Sequence, residues 1–466
     1  MHTGMPEPLS LEPEEMRRLG YAVVDRIVEH LGALDEAAPV RVGDREELIA
    51  AVGGPPPDGP GDPAAELATL FEQVLPWGQR PDHRRFFARI GSPSTYVGAL
   101  ADAAAAGVNA FSGSWVGGSG PSAVELTVLE WLREWCGMPA GTEGVLTSGG
   151  SMASLVGVAA AREARLGGPR GTGVVYVSHQ AHASLPRAVL LMGERVRELA
   201  SDEQQRLTAG ALRRAVEEDR AAGLQPFCAV ATAGTTSTGA VDPLRELHAA
   251  CQELGLWLHV DGAYGAPAAL TEKGAVVLDG LDLADSLAID PHKWLFQPYE
   301  IGCVLVREPG LLERAFSLEG AYLRDTIGGA VDFRNRGPEL TRGARGLKLW
   351  LSVRTFGLDA FRAAIAHGIA LAEHAEARLR ARHGWEVVTP AQLGIVTFRR
   401  EGLGDDAHTR LSAATVQDGF AAPSTTVVGG RVVLRLCTIN PRTTFEDVEA
   451  TIERMERLLD VNGIGG

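Results

Sequence analysis

The stretch that decides the fold runs from Trp257 to Tyr264 and reads WLHVDGAY. Its first four residues are mostly apolar, which predicts a buried strand, because a strand covered on both faces carries apolar side chains on both. Asp261 ends this strand. Doubly wound sheets bind ligands at the carboxyl ends of their strands, so Asp261 is a candidate site residue. The same carboxylate could instead cap the helix that follows.

Other short runs of β-branched and apolar residues predict further strands on both sides of this stretch. They lie at 174–177, 227–231, 287–290 and 301–306. Helical stretches separate several of them, for example at 209–222 and 243–254. Strands that alternate with helices indicate a parallel sheet covered on both faces. We therefore expect an α/β fold with a mostly parallel central sheet.

The two ends of the chain depart from this pattern. Residues 12–33 place apolar residues at three- and four-residue steps, which predicts an amphipathic helix, and a Gly- and Pro-rich loop follows at 53–61. A long helical region near 346–382 precedes three predicted strands and a final helix, at 385–388, 394–398, 432–436 and 444–459. We expect a helical N-terminal segment that contacts a partner subunit, a large domain and a small α+β C-terminal domain, at 1–80, 81–365 and 366–466.

Composition and charge narrow the possible function classes. The chain has 466 residues, of which 45% are hydrophobic, and a formal net charge of −15. This charge argues against nucleic acid as the main partner. The sequence has no apolar run long enough to span a membrane, and its first residues do not read as a signal peptide. The five cysteines form no CxxC pair, which favours reduced, buried thiols in the cytoplasm over disulfides or a metal site.

A lysine follows another of the predicted strands, in the stretch DPHKWLF at 290–296. Alone, a lysine such as Lys293 is usually a solvated surface residue. Among apolar neighbours, however, desolvation lowers the pKa of an amine and makes it a nucleophile toward carbonyl groups. Lys293 is therefore a candidate catalytic residue.

Two further motifs carry groups that suit an anionic or aromatic ligand. The stretch LTSGGSMAS at 146–154 runs into an apolar helix, and N–H groups at a helix start attract anions. It is also the sequence of an ordinary turn and N-cap. The stretch SHQAHAS at 178–184 follows a predicted strand. Its His182 could stack on an aromatic cofactor or fill a structural role.

Individually these signals are weak, but their order along the chain is informative. A Gly-rich loop is followed by a histidine, by Thr235 and Thr236, by the strand-end aspartate and then by the lysine. With the stretches HVDGAY and DPHKW, the sequence resembles the group II pyridoxal-phosphate (PLP) dependent amino-acid decarboxylases from about residue 12 to the C-terminus. The resemblance implies the type I fold of PLP-dependent transferases, decarboxylation of an L-amino acid to its amine, and a homodimer with active sites at the interface.

The resemblance also implies a role for each candidate residue. Lys293 would hold PLP as a Schiff base, and Asp261 would form a salt bridge with the pyridine nitrogen, which makes the ring a better electron sink. Ala263 and His182 would pack on opposite faces of the ring, with Thr236 beside it. Three residues would bind the phosphate group: Gly150, Ser151 and His292.

One position departs from the family pattern. In many relatives a loop tyrosine in an Asp-Tyr-Arg context returns a proton to Cα. The matching stretch here is VDFR at 331–334, and the phenyl ring of Phe333 cannot act as an acid. Relatives with phenylalanine at this place are aldehyde synthases, in which O2 takes part. Tyr322, in the same Gly-containing loop region (318–345), and His182 are alternative donors, so amine formation and oxidative decarboxylation–deamination both stay open.

The substrate is less constrained by the sequence than the cofactor. The stretch FFARIGS at 86–92 matches the family's substrate-facing segment, which makes Arg89 and Ser92 candidate substrate-binding residues. Aromatic-specific relatives have a tyrosine near this arginine. Arg89 could pair with an acidic side chain or turn to solvent. Arg435 matches an arginine that is common in the family's small domain, and a structural role is one interpretation of it.

Two function classes outside this family agree less well with the sequence. A nicotinamide-dependent enzyme would need a Gly-x-Gly-x-x-Gly turn between its first strand and helix, and the nearest glycine pair, Gly171 and Gly173, precedes a strand. A relative that only binds or scaffolds would be expected to lose the lysine or the aspartate. Both Lys293 and Asp261 are present.

Overall fold

The computed structural model describes residues 9–317, 329–461 and 463–464. Its strands are β1 (Val40–Arg41), β2 (Gly78–Gln79), β3 (Glu143–Thr147), β4 (Gly173–Ser178), β5 (Arg195–Leu199), β6 (Gln225–Thr232), β7 (Trp257–Asp261), β8 (Ser286–Ile289), β9 (Gly302–Val306), β10 (Trp385–Gln392), β11 (Ile395–Arg400), β12 (Ser424–Val428) and β13 (Arg431–Cys437).

The helices of the described residues surround these strands. They are α1 (Pro13–Gly32), α2 (Arg45–Val52), α3 (Pro63–Thr69), α4 (Tyr96–Gly107), α5 (Trp115–Trp135), α6 (Gly150–Leu166), α7 (Ser184–Leu191), α8 (Ala209–Ala221), α9 (Leu244–Leu254), α10 (Glu272–Val277), α11 (Leu311–Phe316), α12 (Gly346–Phe356), α13 (Leu358–Arg380), α14 (Asp405–Gln417) and α15 (Phe445–Val461).

The central sheet has seven strands in the order β3-β9-β8-β7-β6-β4-β5. The five strands from β8 to β5 in this order are parallel to one another, and β9 runs antiparallel to both of its neighbours. Thr232 lies opposite Asp261, and Asp261 lies opposite Ala288, so β6, β7 and β8 end side by side. The expected mostly parallel sheet is confirmed, and its carboxyl edge brings three strand ends together.

Burial explains most of the strands that the sequence revealed, although β3, which is also largely buried, was not predicted. Strands β4, β7, β8 and β9 are buried along their whole length, which requires the apolar runs from which they were predicted. Strand β5 lies at the edge of the sheet and is mostly charged and partly exposed. It has no apolar run, and the sequence analysis missed it.

The N-terminal helix forms as predicted, from Pro13 to Gly32. Of the apolar residues at its three- and four-residue steps, Leu19, Val23, Ile27 and Leu31 are half-buried, and α3 packs nearby. None of its residues is fully buried, and Met16, Tyr21 and Val28 are 50%, 68% and 53% exposed. This helix therefore presents apolar surface that the described chain does not cover.

The C-terminal part forms a four-stranded antiparallel sheet in the order β10-β11-β13-β12, with α13 and α14 packed on it and α15 packed against these two helices. This confirms the expected small α+β unit, although β12 was not predicted. The long helical region is two helices, because Gly357 adopts a φ of +76° between α12 and α13. The division at residues 80 and 365 stays a prediction.

One contact joins the two sheets near the candidate lysine. The rings of Tyr264 and Trp294 stack with their centroids 5.1 Å apart. The hydroxyl oxygen of Tyr264 accepts a hydrogen bond from the backbone N–H of Gly394, between β10 and β11, at 2.8 Å. The segment after Lys293 is thus packed against a residue that is anchored to the C-terminal sheet.

The structure also bears on the predicted thiols, on membrane-spanning helices and on the predicted loop at 318–345. All five cysteines are buried and unpaired, as predicted: Cys136, Cys228, Cys251, Cys303 and Cys437. Within the described ranges, every helix is too short or too polar to cross a membrane. Tyr322 and residues 318–328 of the predicted loop lie outside the described residues.

Candidate active site

The carboxyl edge of the central sheet borders a cavity of about 410 Å³. Thr232 and Asp261 end β6 and β7, and Asp290 directly follows β8. The residues that line the cavity include all eight candidate cofactor ligands: Gly150, Ser151, His182, Thr236, Asp261, Ala263, His292 and Lys293. The structure therefore brings together residues that are up to about 140 positions apart in the sequence.

Lys293 is positioned by the turn that follows β8. Its backbone N–H donates to the carbonyl of Asp290 at 2.9 Å, and its Nζ atom lies 3.0 Å from the Oδ2 atom of Asp290. Burial alone would lower the pKa of Lys293, but the carboxylates of Asp290 and Asp261 raise it by more, so the net shift is upward. The free amine is therefore held as an ammonium group until a reaction removes its proton.

Asp261 is buried at the end of β7, with 7% of its surface exposed. Its Oδ1 atom accepts a hydrogen bond from the backbone N–H of Ala263 at 3.1 Å. Burial raises the pKa of Asp261, and the nearby charge of Lys293 offsets only part of this. A carboxylate in this position is stabilised by any further cation that enters the cavity.

The Gly-rich motif forms the start of α6. Gly149 precedes the helix with a φ of +154°, and no side chain caps the first turn. A Cβ atom on Gly150 would lie 2.8 Å from the Oδ2 atom of Asp290 and 3.0 Å from the Cβ atom of Ala263, so the backbone is too close for a larger residue. The uncapped N–H groups of this helix start can bind an anion in the cavity.

His292 lies beside the helix start. Its Nδ1 atom accepts a hydrogen bond from the backbone N–H of Ile301 at 3.2 Å, so a neutral ring carries its hydrogen on Nε2. Burial lowers the pKa of His292, although Asp290 partly opposes this. The ring can therefore donate a hydrogen bond through Nε2 without carrying a charge.

His182 and Thr236 lie on the other side of the cavity. The side chain of His182 is exposed to the cavity, and its Nδ1 atom lies 2.8 Å from the Oγ atom of Ser184. Thr236 is half-buried, and its carbonyl oxygen accepts a hydrogen bond from Arg435. These contacts hold the imidazole ring of His182 and the backbone of Thr236 on the side of the cavity opposite the strand ends.

A second, larger cavity of about 750 Å³ adjoins the first and shares His182, Thr236 and Lys293 with it. Arg89 and Arg435 line this second cavity. Arg435 is 5% exposed, and its Nε atom donates to the Oγ atom of Ser424 at 3.1 Å. The two arginines thus line a cavity that adjoins the candidate cofactor site.

The structure does not bring Ser92 into the same two cavities. Its hydroxyl donates to the carbonyl oxygen of Lys293. It lines a third cavity, of about 640 Å³, which also contains residues of α1 such as Ile27 and His30. Ser92 therefore holds the backbone of Lys293 from outside the two cavities. Its role in substrate binding stays a prediction.

Phe333 is placed in the core of the chain. It begins a short 3₁₀ turn, Phe333–Asn335, and its side chain is 0% exposed. The guanidinium carbon of Arg342 lies 5.3 Å from its ring centroid, and Arg342 forms a fully buried ion pair with Glu125 at 2.6 Å. The ring is therefore part of the packing around this ion pair.

The sequence analysis missed Asp290 and Thr232 as site residues. Both line the cavity, and the Oδ1 atom of Asp290 and the Oγ1 atom of Thr232 are buried without a hydrogen-bond partner among the described residues. The signal that could have found them is the one that identified Asp261, since each polar residue lies where a predicted strand ends. Buried polar atoms without partners indicate a polar ligand.

The donor set fits a phosphorylated pyridine aldehyde. A lysine can bind its aldehyde, a buried carboxylate can pair with its ring nitrogen, and a glycine-rich helix start can bind its phosphate. The structure provides these groups as Lys293, Asp261 and the first residues of α6, all around one cavity. The polar atoms of Asp290 and Thr232 add potential hydrogen-bond partners for the same ligand.

The chain is similar to known proteins along nearly its whole length. A family model described as the pyridoxal-dependent decarboxylase conserved domain matches residues 62–401. An aromatic-L-amino-acid decarboxylase of Bacillus atrophaeus is 43% identical, over 98% of each chain. The structure of Oryza sativa TDC, solved with PLP and tryptamine, is 26% identical and has a TM-score of 0.92, over 97% of this chain and 99% of that one.

A third structure, 4-hydroxyphenylacetaldehyde synthase of Rhodiola rosea, is 24% identical with a TM-score of 0.90, over 98% of this chain and 99% of that one. This similarity shows the fold alone. Together, these matches confirm the expected type I fold of PLP-dependent transferases. With a family model that covers most of its length and a full-length relative at 43% identity, the chain belongs to the pyridoxal-dependent decarboxylase family.

Proposed function

We propose that this PLP-dependent carboxy-lyase removes the α-carboxylate of an L-amino acid as CO2 and releases the corresponding amine. The observation that carries the proposal is the grouping of Lys293, Asp261 and the start of α6 around one cavity at the carboxyl edge of the sheet. Family membership supports the same reaction class.

The residues around the cavity would hold the cofactor as follows. Lys293 would bind the aldehyde carbon, Asp261 would pair with the ring nitrogen, and Ala263 and His182 would contact the two ring faces. When bound, pyridoxal phosphate accepts the electron pair that departing CO2 leaves behind. The groups that would bind the phosphate and the ring edge are Gly150, Ser151, His292 and Thr236.

The protein's own side chains would control protons in this reaction. Asp290, 3.0 Å from the Nζ atom of Lys293, stabilises the ammonium form of the lysine whenever a substrate amine takes its place. His182 borders both cavities and can orient the substrate carboxylate or hold a proton near Cα. Lys293 and His182 are thus the candidate proton donors among the described residues.

A second candidate function is oxidative decarboxylation–deamination to an aldehyde. The observation that favours it is Phe333, at the place where many relatives have a tyrosine. Its ring is buried beside Arg342 and lines neither cavity at Lys293 in its own chain, so this position favours neither product.

A product assay tests both candidates. PLP-loaded protein is incubated in air with a panel of L-amino acids, and CO2, amine, aldehyde and peroxide are measured together. We expect CO2 and amine in equal amounts, without peroxide. Aldehyde and peroxide in equal amounts would contradict the amine proposal and favour the aldehyde synthase, and Phe333→Tyr should then restore amine formation. No CO2 from any amino acid would contradict both.

We also propose that the chain forms a homodimer with active sites at the subunit interface and acts in the cytoplasm. The exposed apolar residues of α1 support the dimer, because apolar surface on an N-terminal helix is stabilised by a second subunit. The absence of cysteine pairing among the described residues agrees with a reducing compartment.

A further inference from the structure

The cavity of about 750 Å³ beside the site has an unbalanced charge. Its lining contains the cationic side chains of Arg89, Arg435 and Lys293, and among the described residues that line it there is no aspartate or glutamate. The whole chain carries a net charge of −15, so a cationic cavity runs against its overall composition. Such a cavity attracts anions.

Two of the three cations already have partners. Lys293 is paired with Asp290 and would hold the cofactor. Arg435 donates hydrogen bonds to the carbonyl oxygen of Thr236 and to Ser424, which fixes its guanidinium group at the border of the two cavities. Burial lowers the pKa of Arg435, and the positive charge of Arg89 adds to this shift. An anion between the two arginines would relieve this repulsion.

Arg89 is the cation without a partner. Its side chain is exposed, and no described residue forms an ion pair or hydrogen bond with it. Its backbone has a φ of +56°, a conformation that is uncommon for a residue with a side chain. Residues held in such conformations cluster at ligand sites, because the surrounding structure must maintain them.

We propose that the substrate is an L-amino acid whose side chain carries a second anionic group, a carboxylate, and that Arg89 binds this group. The proposal rests on the proposed decarboxylase function and names its substrate class. The α-carboxylate is the group that is lost, so the side-chain carboxylate remains to pair with the guanidinium group. A bidentate pair of this kind favours acidic side chains, because a neutral side chain offers the guanidinium group no negative charge to pair with.

The test compares acidic and aromatic substrates in matched variants. Steady-state CO2 release by PLP-loaded protein is measured with L-glutamate, L-aspartate, L-tyrosine and L-tryptophan, for the wild type, Arg89→Gln, Arg89→Lys and Arg410→Gln. Arg410 is an exposed arginine on α14 and serves as the control for loss of one positive charge. We expect the wild type to prefer an acidic substrate. In Arg89→Gln, kcat/KM for that substrate should fall about tenfold or more through KM, the effect of losing one charge-assisted hydrogen bond.

Arg89→Lys should retain part of the preference, and Arg410→Gln should match the wild type. Binding gives a second readout, in which the visible absorption of the cofactor is followed during titration with α-methyl-glutamate and α-methyl-tyrosine. Only the titration with the acidic analogue should weaken in Arg89→Gln. CO2 release from the aromatic substrates alone would overturn this inference and leave the decarboxylase proposal intact. Equal effects of Arg89→Gln on both substrate classes would also overturn it.

Discussion

Asp290 holds a carboxylate oxygen 3.0 Å from the amine of Lys293, and both side chains line the candidate cofactor cavity. A carboxylate at this distance stabilises a positive charge on the lysine nitrogen in each form that the nitrogen takes. It therefore sets the pH range in which that nitrogen keeps its proton. This role belongs to a residue that the sequence analysis did not select.

We predict that Asp290→Asn lowers the pKa of the Lys293 nitrogen, because the substitution removes a negative charge and keeps the shape of the side chain. In the PLP-loaded protein, the pH midpoint of the cofactor's absorption change should fall by about one unit or more, equivalent to about 1.4 kcal/mol. Spectroscopic titration measures this midpoint. Asp359→Asn, an exposed residue on α13, is the control. An unchanged midpoint in Asp290→Asn would contradict the prediction.

Some residues of the candidate site could be predicted from the sequence alone, and others could not. Lys293 and Asp261 could be selected because each follows a predicted strand, and the structure places both at the same cavity. Ser92 could not be located in the same way. Its hydroxyl bonds the carbonyl of Lys293 from outside the cavity, and this contact depends on the path of a loop that has no periodic signal.

At the scale of elements, the start of α6 joins the sheet to the candidate phosphate site. The backbone of Gly150 approaches both Asp290 and Ala263, which closes the gap between the helix and the ends of β7 and β8. A helix start this close to the sheet directs its N–H groups into the cavity.

We predict that Gly150→Ala weakens cofactor binding. The new Cβ atom would lie 2.8 Å from the Oδ2 atom of Asp290, so the helix start must shift, at a cost of about 1–3 kcal/mol. The Kd for PLP, measured by fluorescence titration of the apo protein, should rise at least about fivefold. Gly107→Ala, at the exposed end of α4 with no atom near the new Cβ, is the control and should bind PLP like the wild type. An equal Kd in both variants would refute the prediction.

The elements that the sequence predicted are those with a clear period or a fully apolar run. The strands β4, β7, β8 and β9 have such runs because both of their faces are covered. The edge strand β5 and strand β12 are only partly buried, and their residues therefore carry no comparable signal. The break between α12 and α13 depends on the φ of +76° at Gly357. A single glycine in a helical pattern does not predict such a break, because glycine also occurs inside helices.

At the scale of the whole molecule, apolar surface on the N-terminal helix bears on assembly. Met16, Tyr21 and Val28 are each at least 50% exposed, whereas Leu19, Val23, Ile27 and Leu31 are half-buried. Surface of this kind is stabilised when a second copy covers it.

We predict that Met16→Glu combined with Tyr21→Glu weakens the proposed homodimer, because charges in an apolar contact are costly to bury. Sedimentation velocity at several protein concentrations should show a larger fraction of monomer than in the wild type. The control is Val276→Glu, which changes a 78% exposed residue on α10. A wild-type chain that sediments as a monomer at all concentrations would exclude the proposed dimer.

Arg435, in β13 of the C-terminal sheet, donates a hydrogen bond to the carbonyl oxygen of Thr236, which follows β6 of the central sheet. The larger cavity is therefore lined by residues from both parts of the chain. Ser412, Val416 and Thr425 also reach this cavity from α14 and β12. Because the larger cavity is the proposed place of the substrate side chain, mutations in these outer elements should change substrate preference without moving Asp261, at the end of β7, or Lys293, in the turn after β8. Substrate preference in this chain can therefore evolve separately from its chemistry.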